Sequence, residues 1–221
     1  MPSTLYIVGT PIGNLDDMTL RGLSTLKLVD VIYCEDTRRS LKLLNHFEIR
    51  KPLKSAPYFR ERDAAEKIIA HLAGGESVAL ITDAGMPGVS DPGSLVVGAV
   101  RKAGYKVEII GGVSALTHFI AGLGRPLESF SFIGFLPPRT KDREKIFKDG
   151  IHQPLIFFES PHRIQSTLEL LAEIEPNLQM SLGKELSKIS EAFFDGTASE
   201  VLKQIRSTKG EWVGCLWPKG G

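Results

Sequence analysis

Short apolar runs alternate with helical patterns along the first half of the chain. Strands are predicted at residues 4–8, 30–34, 77–82 and 106–110. Between and after them, apolar residues three or four positions apart predict helices around 20–26, capped by Asp16 or Asp17, and at 64–72, 94–103 and 115–121. This alternation is typical of a parallel sheet covered by helices.

Two proline clusters, one at Arg125-Pro126 and the other at Pro137-Pro138, interrupt this pattern and predict a domain boundary. We place the domains at 1–118 and 119–221, and the second also has an α/β pattern. Thr197 and Glu200 have the spacing of a capping box. The predicted elements of the second domain are strands at 131–135, 154–158, 179–184 and 211–217 and helices at 139–148, 161–174 and 197–206.

Composition narrows the class of protein only moderately. The chain has 221 residues, 42% apolar and 24% charged, and a net charge of +1. No apolar run approaches the roughly 20 residues that cross a bilayer, and no secretory signal is visible, so we expect a cytoplasmic protein without a membrane span. Cys34 and Cys215 lie in apolar runs without a cluster of histidines, which predicts buried, reduced thiols and no metal site.

Positive charge is concentrated in residues 36–62, which carry eight Lys or Arg against three acids. Tyr58 and Phe59 stand among these cations, and a second basic run covers 139–148. Such runs are usually solvated faces, although a nucleic-acid surface has the same composition.

Four apolar strands run directly into turns rich in Gly, Pro, Ser or Asp, at residues 9–14, 82–93, 111–115 and 159–163. Ligands of open α/β sheets lie at the carboxyl ends of strands, so these loops predict one shared binding site. Asp83 could accept hydrogen bonds from ribose hydroxyls or from turn amides. The spacings of a Rossmann fingerprint, a P-loop and a hydrolase elbow are absent.

Two further blocks place acids beside bases behind apolar strands. Residues 35–39 read Glu-Asp-Thr-Arg-Arg, and residues 159–163 read Glu-Ser-Pro-His-Arg. The first block is either a solvated ion-pair cluster or the rim of an active site with a base and contacts to RNA phosphates.

Together these segments resemble a known family. Residues 9–15, 35–38, 83–93, 134–137, 159–163 and 184–188 follow the order seen in the ribosomal RNA small-subunit methyltransferase I family, within the tetrapyrrole methylase superfamily. The resemblance covers nearly the whole chain. It implies a two-domain α/β fold, with a parallel-rich N-terminal sheet and a mixed C-terminal sheet. It also implies S-adenosylmethionine in the cleft between the domains, a homodimer, and 2'-O-methylation of a cytidine in small-subunit ribosomal RNA or the 30S subunit.

The same resemblance assigns cofactor contacts. From the first domain they are Ile12, Gly13, Asp83, Gly85, Ser114 and Ala115, and from the second Phe158 and Glu185 or their neighbours. This chain departs from the family at Gly9, where Ala is more common, at Met86, where Thr is more common, and at Val113, where Pro is more common. Many members also continue into a small helical region, whose RNA contacts we expect to be missing here.

Methyl transfer to a ribose hydroxyl needs a group that removes the hydroxyl proton, and a nearby carboxylate suits this role. Asp36, Glu159 and Glu185 are the candidate bases, and the sequence does not rank them. Arg38, Arg39 and Arg163 are candidate contacts to RNA phosphates. Two alternatives stay open: a methyltransferase acting on a corrin precursor or another small molecule of the same superfamily, and a catalytically silent RNA-binding module.

Overall fold

The computed structural model describes residues 3–219. The chain forms two compact units, of which the first ends at Ser114 and the second begins at Ala115. The sequence analysis placed this boundary four residues later, after 118 instead of 114. Each unit is built around its own five-stranded sheet.

The first unit contains a wholly parallel sheet. Its strand order is β3-β2-β4-β1-β5, and every neighbouring pair runs parallel. The parallel-rich sheet predicted from the sequence is thus confirmed. The elements are β1 (Thr4–Val8), α1 (Leu20–Leu28), β2 (Val31–Cys34), α2 (Thr37–His46), β3 (Leu53–Ser55), α3 (Glu61–Ala73), β4 (Val78–Ile81), α4 (Ser94–Lys102) and β5 (Lys106–Ile110).

Both faces of this sheet are covered, which is why β2 and β4 are buried at every position. Successive side chains of a strand point to opposite faces. Tyr33 accordingly packs in one cluster with residues of α3 and α4, whereas Ile32 packs in another with residues of α1 and α2.

The start of the first helix corrects the sequence analysis. Neither Asp16 nor Asp17 caps α1, because both lie in a short 3-10 helix, Leu15–Asp17. The cap is Thr19, whose hydroxyl accepts the Gly22 backbone N–H at 3.0 Å. The strands at 4–8 and 106–110 are confirmed, whereas α2 and β3 were not predicted.

The second unit contains a mixed sheet of order β6-β7-β10-β8-β9, as predicted. Only the β6–β7 pair runs parallel. The capping box between Thr197 and Glu200 is confirmed, but β9 was not predicted. The elements are α5 (Ala115–Gly122), β6 (Ser131–Phe135), α6 (Thr140–Lys148), β7 (Leu155–Glu159), α7 (Ile164–Ile174), β8 (Gln179–Lys184), β9 (Ala192–Thr197), α8 (Ala198–Gln204) and β10 (Trp212–Leu216).

The two cysteines are buried and free, as the apolar runs around them predicted. Burial raises the pKa of Cys34 to about 11 and that of Cys215 to about 12. Both thiols therefore stay protonated near neutral pH, where a thiol is a poor nucleophile. Across residues 3–219, no helix is long and apolar enough to cross a membrane.

Candidate active site

Hydrogen bonds join the loops that follow β1 and β4 at the carboxyl edge of the parallel sheet. The Thr10 backbone N–H donates to the Gly85 carbonyl at 2.9 Å, and the Gly85 N–H donates to the Thr10 carbonyl at 3.0 Å. Gly85 adopts a φ of +83°, which favours glycine. The structure therefore brings the predicted loops at 9–14 and 82–93 together.

The loop after β5 lies against the loop after β1. A Cβ added to Gly9 would lie 2.8 Å from the Cα of Gly112 and 2.6 Å from the sulfur of Met86. Gly9 and Met86 are two of the positions where this chain departs from the family, and they are neighbours. The sulfur of Met86 occupies the space that the methyl group of an alanine at position 9 would need.

Asp83 connects the loop after β4 to the start of α2. One carboxylate oxygen accepts the Asp36 backbone N–H at 3.2 Å, and the other accepts the Arg39 guanidinium at 3.1 Å. Both oxygens are thus engaged by protein groups. Asp83 is thereby suited to fixing the position of Arg39 and the block at 35–39 beside the glycine loops.

Asp36, one of the three candidate bases, caps α2. Its carboxylate accepts the Arg38 backbone N–H at 2.9 Å and pairs with the Arg38 guanidinium at 2.8 Å. These bonds from Arg38 lower the pKa of Asp36 to about 2. A carboxylate of such low basicity is a weak proton acceptor.

Glu159, the second candidate, is buried at the end of β7. One oxygen accepts the Ser160 backbone N–H at 2.7 Å and pairs with Arg163 at 2.7 Å, and the other accepts the Thr167 hydroxyl at 2.8 Å. The structure thus joins Glu159 and Arg163 in an ion pair. The carboxylate satisfies polar groups around the start of α7, which is a structural role.

Glu185, the third candidate, follows β8 in a left-handed conformation, with a φ of 51°. One oxygen accepts bonds from Lys188 at 2.8 Å and from the Glu211 backbone N–H at 2.9 Å. Burial acts to raise the pKa of Glu185, but these hydrogen bonds outweigh it and the net pKa is lowered. The side chain therefore connects two chain segments of the second unit.

Glu35 differs from these three acids, and the sequence analysis did not single it out. It follows β2 directly and is half-buried. No hydrogen bond to its carboxylate exists within residues 3–219. Burial raises the pKa of Glu35 and the charge of Asp83 raises it further, while the charge of Arg39 lowers it by less, so the net pKa is raised. Its place as the first residue after a fully apolar strand was the available signal.

Glu61 is a second residue whose role the sequence did not reveal. It is buried, and one oxygen accepts backbone N–H groups from Gly93, Leu95 and Val96 at 2.7, 2.8 and 3.3 Å. The first residue of α3 thus caps the first turn of α4, where a carboxylate is favoured by the helix dipole. This contact fixes the end of the 82–93 loop.

The remaining predicted residues are distributed over both units. Ile12 is buried, and its side chain would contact a Cβ added to Gly85 at 3.5 Å. Gly13 is exposed, whereas Ser114 and Ala115 are half-buried. Phe158 belongs to the second unit, where its ring packs against Phe132 and Phe135. No cluster of acids, histidines and cysteines within residues 3–219 could hold a metal ion.

Comparison with known proteins defines the class. Residues 4–202 match the family model of the tetrapyrrole (corrin/porphyrin) methylases. Solved structures share the fold: a diphthine synthase has a TM-score of 0.76 at 18% identity, with 98% of this chain and 90% of that chain covered. A Thermus thermophilus uroporphyrin-III C-methyltransferase complexed with S-adenosylhomocysteine has a TM-score of 0.67 at 17% identity, covering 96% and 97%. Fold and site thus define an S-adenosylmethionine-dependent methyltransferase of the tetrapyrrole methylase superfamily.

Sequence relatives narrow this class. A ribosomal RNA small subunit methyltransferase I from Neisseria meningitidis serogroup B is 40% identical over 221 residues, covering 97% of this chain and 76% of that protein. Its namesake from Thermotoga maritima is 43% identical over 210 residues, covering 93% of each. The chain belongs to the ribosomal RNA small subunit methyltransferase I family.

Proposed function

We propose that this enzyme methylates the ribose 2'-hydroxyl of a cytidine in small-subunit ribosomal RNA, with S-adenosylmethionine as the methyl donor. The names of its relatives support a substrate in the small ribosomal subunit. The environment of Glu35 is the observation that supports this reaction. Its carboxylate is half-buried, accepts no hydrogen bond from the described part of the chain and lies close in sequence to the arginines of α2. A corrin precursor is the alternative substrate, and the test below separates the two.

Glu35 is the base in this proposal. As the ribose oxygen attacks the methyl group, a Glu35 carboxylate oxygen accepts the proton that the hydroxyl loses. A raised pKa makes a carboxylate a stronger proton acceptor. The three acids first considered take positioning roles: Asp36 orients Arg38, Glu159 orients Arg163, and Glu185 orients Lys188.

Exposed arginines beside this base provide charge for RNA. The side chain of Arg38 is 88% exposed and that of Arg39 is 70% exposed, although each has an acidic partner. Arg163 belongs to the second unit; it is 23% exposed and paired with Glu159, so it presents less charge to a ligand. Contacts to phosphates predict RNA affinity that falls as the salt concentration rises.

The glycine loops suit the cofactor, because a Cβ added to Gly111 would meet no atom within 4 Å and that added to Gly85 none closer than 3.5 Å. Ligand atoms therefore have room beside this backbone. When bound, S-adenosylmethionine supplies the methyl group. We propose that Asp83 acts by positioning Arg39, and that the contacts to the cofactor come from Ile12, Gly13, Gly85, Ser114, Ala115 and Phe158.

We also propose that the enzyme works in the cytoplasm as a homodimer. Phe135 and Ile133 of the edge strand β6 are 54% and 40% exposed, and exposed apolar residues of this kind favour contact with another copy. Light scattering coupled to gel filtration tests the dimer: a mass of twice 24.2 kDa is expected.

A methylation assay tests the proposed activity. Purified enzyme is incubated with labelled S-adenosylmethionine and 30S subunits from cells that lack the gene, and the 2'-O-methyl group is mapped by reverse transcription. We expect one methylated cytidine, formed about 100-fold more slowly or slower still when Glu35 is replaced by Gln. Absence of transfer to 30S subunits together with transfer to a tetrapyrrole would contradict the proposal.

A further inference from the structure

Two adjacent aromatic side chains project from the first unit into solvent. Tyr58 is 68% exposed and Phe59 is 83% exposed, and both lie in the 3-10 helix Tyr58–Arg60 between β3 and α3. A single exposed apolar residue is ordinary, but two successive aromatic rings exposed on one turn present an unusually large apolar area to solvent. Neither ring contributes to the apolar clusters of this unit.

The turn that carries these rings is fixed at both ends. On one side, β3 pairs with β2, and the Ala56 backbone N–H donates to the Cys34 carbonyl at 2.7 Å. On the other side, buried Glu61 binds the backbone of the 82–93 loop. The rings are therefore presented by an ordered turn, which lowers the entropic cost of binding.

Charge around the rings favours an anionic partner. Arg60 and Arg62 are exposed; Arg60 pairs with the exposed Asp63 at 3.1 Å, whereas Arg62 has no ion pair within the described residues. Glu61 lies between them in sequence, but its carboxylate is buried against backbone N–H groups. The surface of residues 58–62 thus combines aromatic rings with positive charge, the combination that binds single-stranded nucleic acid by stacking bases and contacting phosphates.

The turn also lies at the carboxyl edge of the sheet, where the proposed base is. β3 and β2 are parallel neighbours with Ser55 opposite Cys34, so both strands end at this edge. Glu35 follows β2, and the hydroxyl of Ser55 donates to the Glu35 carbonyl at 3.5 Å. A strand of RNA whose target ribose reaches Glu35 would pass near Tyr58 and Phe59.

We propose that Tyr58 and Phe59 form a stacking platform for unpaired bases of the substrate RNA next to the target nucleotide, with Arg60 and Arg62 contacting its phosphates. This inference rests on the proposed function, because it assumes a substrate that is single-stranded RNA. The platform would favour binding of RNA whose bases are unstacked. A duplex, in which the bases are stacked on each other, would not fit the platform.

The test compares four variants. Phe59→Ala and Tyr58→Ala remove one ring each, Phe59→Trp keeps a ring, and Leu20→Ala is the control, because Leu20 is also 83% exposed and belongs to the same unit. For each variant, we would measure KM and kcat with 30S subunits, the Kd of a single-stranded RNA carrying the target sequence, and the Kd of S-adenosylmethionine.

We expect each alanine variant at the platform to raise KM and the RNA Kd by about tenfold, since stacking of one base contributes roughly that much. The Kd of S-adenosylmethionine should stay unchanged. Phe59→Trp should bind RNA as the wild type does, and its added fluorescence should be quenched on binding. An RNA Kd for Phe59→Ala equal to that of Leu20→Ala would contradict the platform, even if the protein methylates 30S subunits.

A different result would contradict the proposed function alone: wild-type enzyme that binds the RNA through Phe59 but transfers no methyl group.

Discussion

The carboxylate of Asp83 accepts the backbone N–H of Asp36 at 3.2 Å, and this bond joins the loop after β4 to the first turn of α2. Arg39 binds the other oxygen of Asp83, so one side chain fixes both a cation and a helix start. The arrangement explains why two sequence blocks more than forty residues apart, at 35–39 and 82–93, form one surface.

Replacing Asp83 by Ala should weaken the binding of S-adenosylmethionine and lower the free energy of unfolding by about 1–2 kcal/mol, because the Asp36 N–H loses its acceptor. Asp83→Asn should recover part of the stability, since its amide oxygen can accept the same N–H. Calorimetry and urea unfolding measure both effects. Wild-type affinity in Asp83→Ala would contradict a role of Asp83 in shaping the cofactor site.

Gly9 and Met86 should be energetically coupled. Gly9→Ala places a methyl group 2.6 Å from the Met86 sulfur and 2.8 Å from the Cα of Gly112, and we expect a cost of about 1–3 kcal/mol from overpacking. Met86→Thr removes the contact with the sulfur and should reduce part of this cost in the double variant, because the contact with the Gly112 backbone remains. A double-mutant cycle by urea unfolding gives the coupling energy directly. Additive effects of the two substitutions would contradict the coupling.

Glu61→Ala should lower the free energy of unfolding by about 2–4 kcal/mol, because three backbone N–H groups lose a charged acceptor. Glu66→Ala is the matched control, since Glu66 is an exposed glutamate on the same helix and should change stability by less than about 0.5 kcal/mol. Equal stability of the two variants would mean that water replaces the Glu61 carboxylate.

Much of the fold was predictable, and the exceptions have physical reasons. Strands such as β1 and β5 are apolar runs bounded by polar residues, so their pattern alone locates them. The helix α2 was missed because only Ser40 and Leu44 are buried among many cations, which resembles a solvated charge cluster. Short β3 has no fully buried residue, and Gly196 interrupts the apolar pattern of β9.

The site was predictable only in outline. Glycine and proline after apolar strands correctly indicated that the loops at 9–14, 82–93 and 111–115 meet, because strand direction places their ends at one edge. Hydrogen-bond partners were not predictable, since the carboxylates of Glu61 and Asp83 accept backbone N–H groups, which carry no sequence signal. For the same reason the sequence could not distinguish acids whose carboxylates accept hydrogen bonds, such as Glu159, from Glu35, whose carboxylate accepts none from residues 3–219.

Glu35 should destabilise the folded protein at neutral pH. Its folded-state pKa is raised, so the native state holds the Glu35 proton more tightly than the unfolded chain does. Its contribution to stability therefore decreases as pH rises from the unfolded pKa through the folded one. Glu35→Gln should be more stable than the wild type at pH 7, and the difference should shrink near pH 4. Urea unfolding at both pH values measures this, and a less stable variant at pH 7 would contradict the raised pKa.

The rate of methyl transfer in Glu35→Gln tests the central claim most directly. Single-turnover transfer to 30S subunits, at saturating enzyme and S-adenosylmethionine, isolates the chemical step from binding. We expect Glu35→Gln to be slower than the wild type by about 100-fold or more, with unchanged affinity for cofactor and RNA, and Glu66→Gln to react at the wild-type rate. A Glu35→Gln enzyme that transfers the methyl group as fast as the wild type would contradict the assignment of Glu35 as the base.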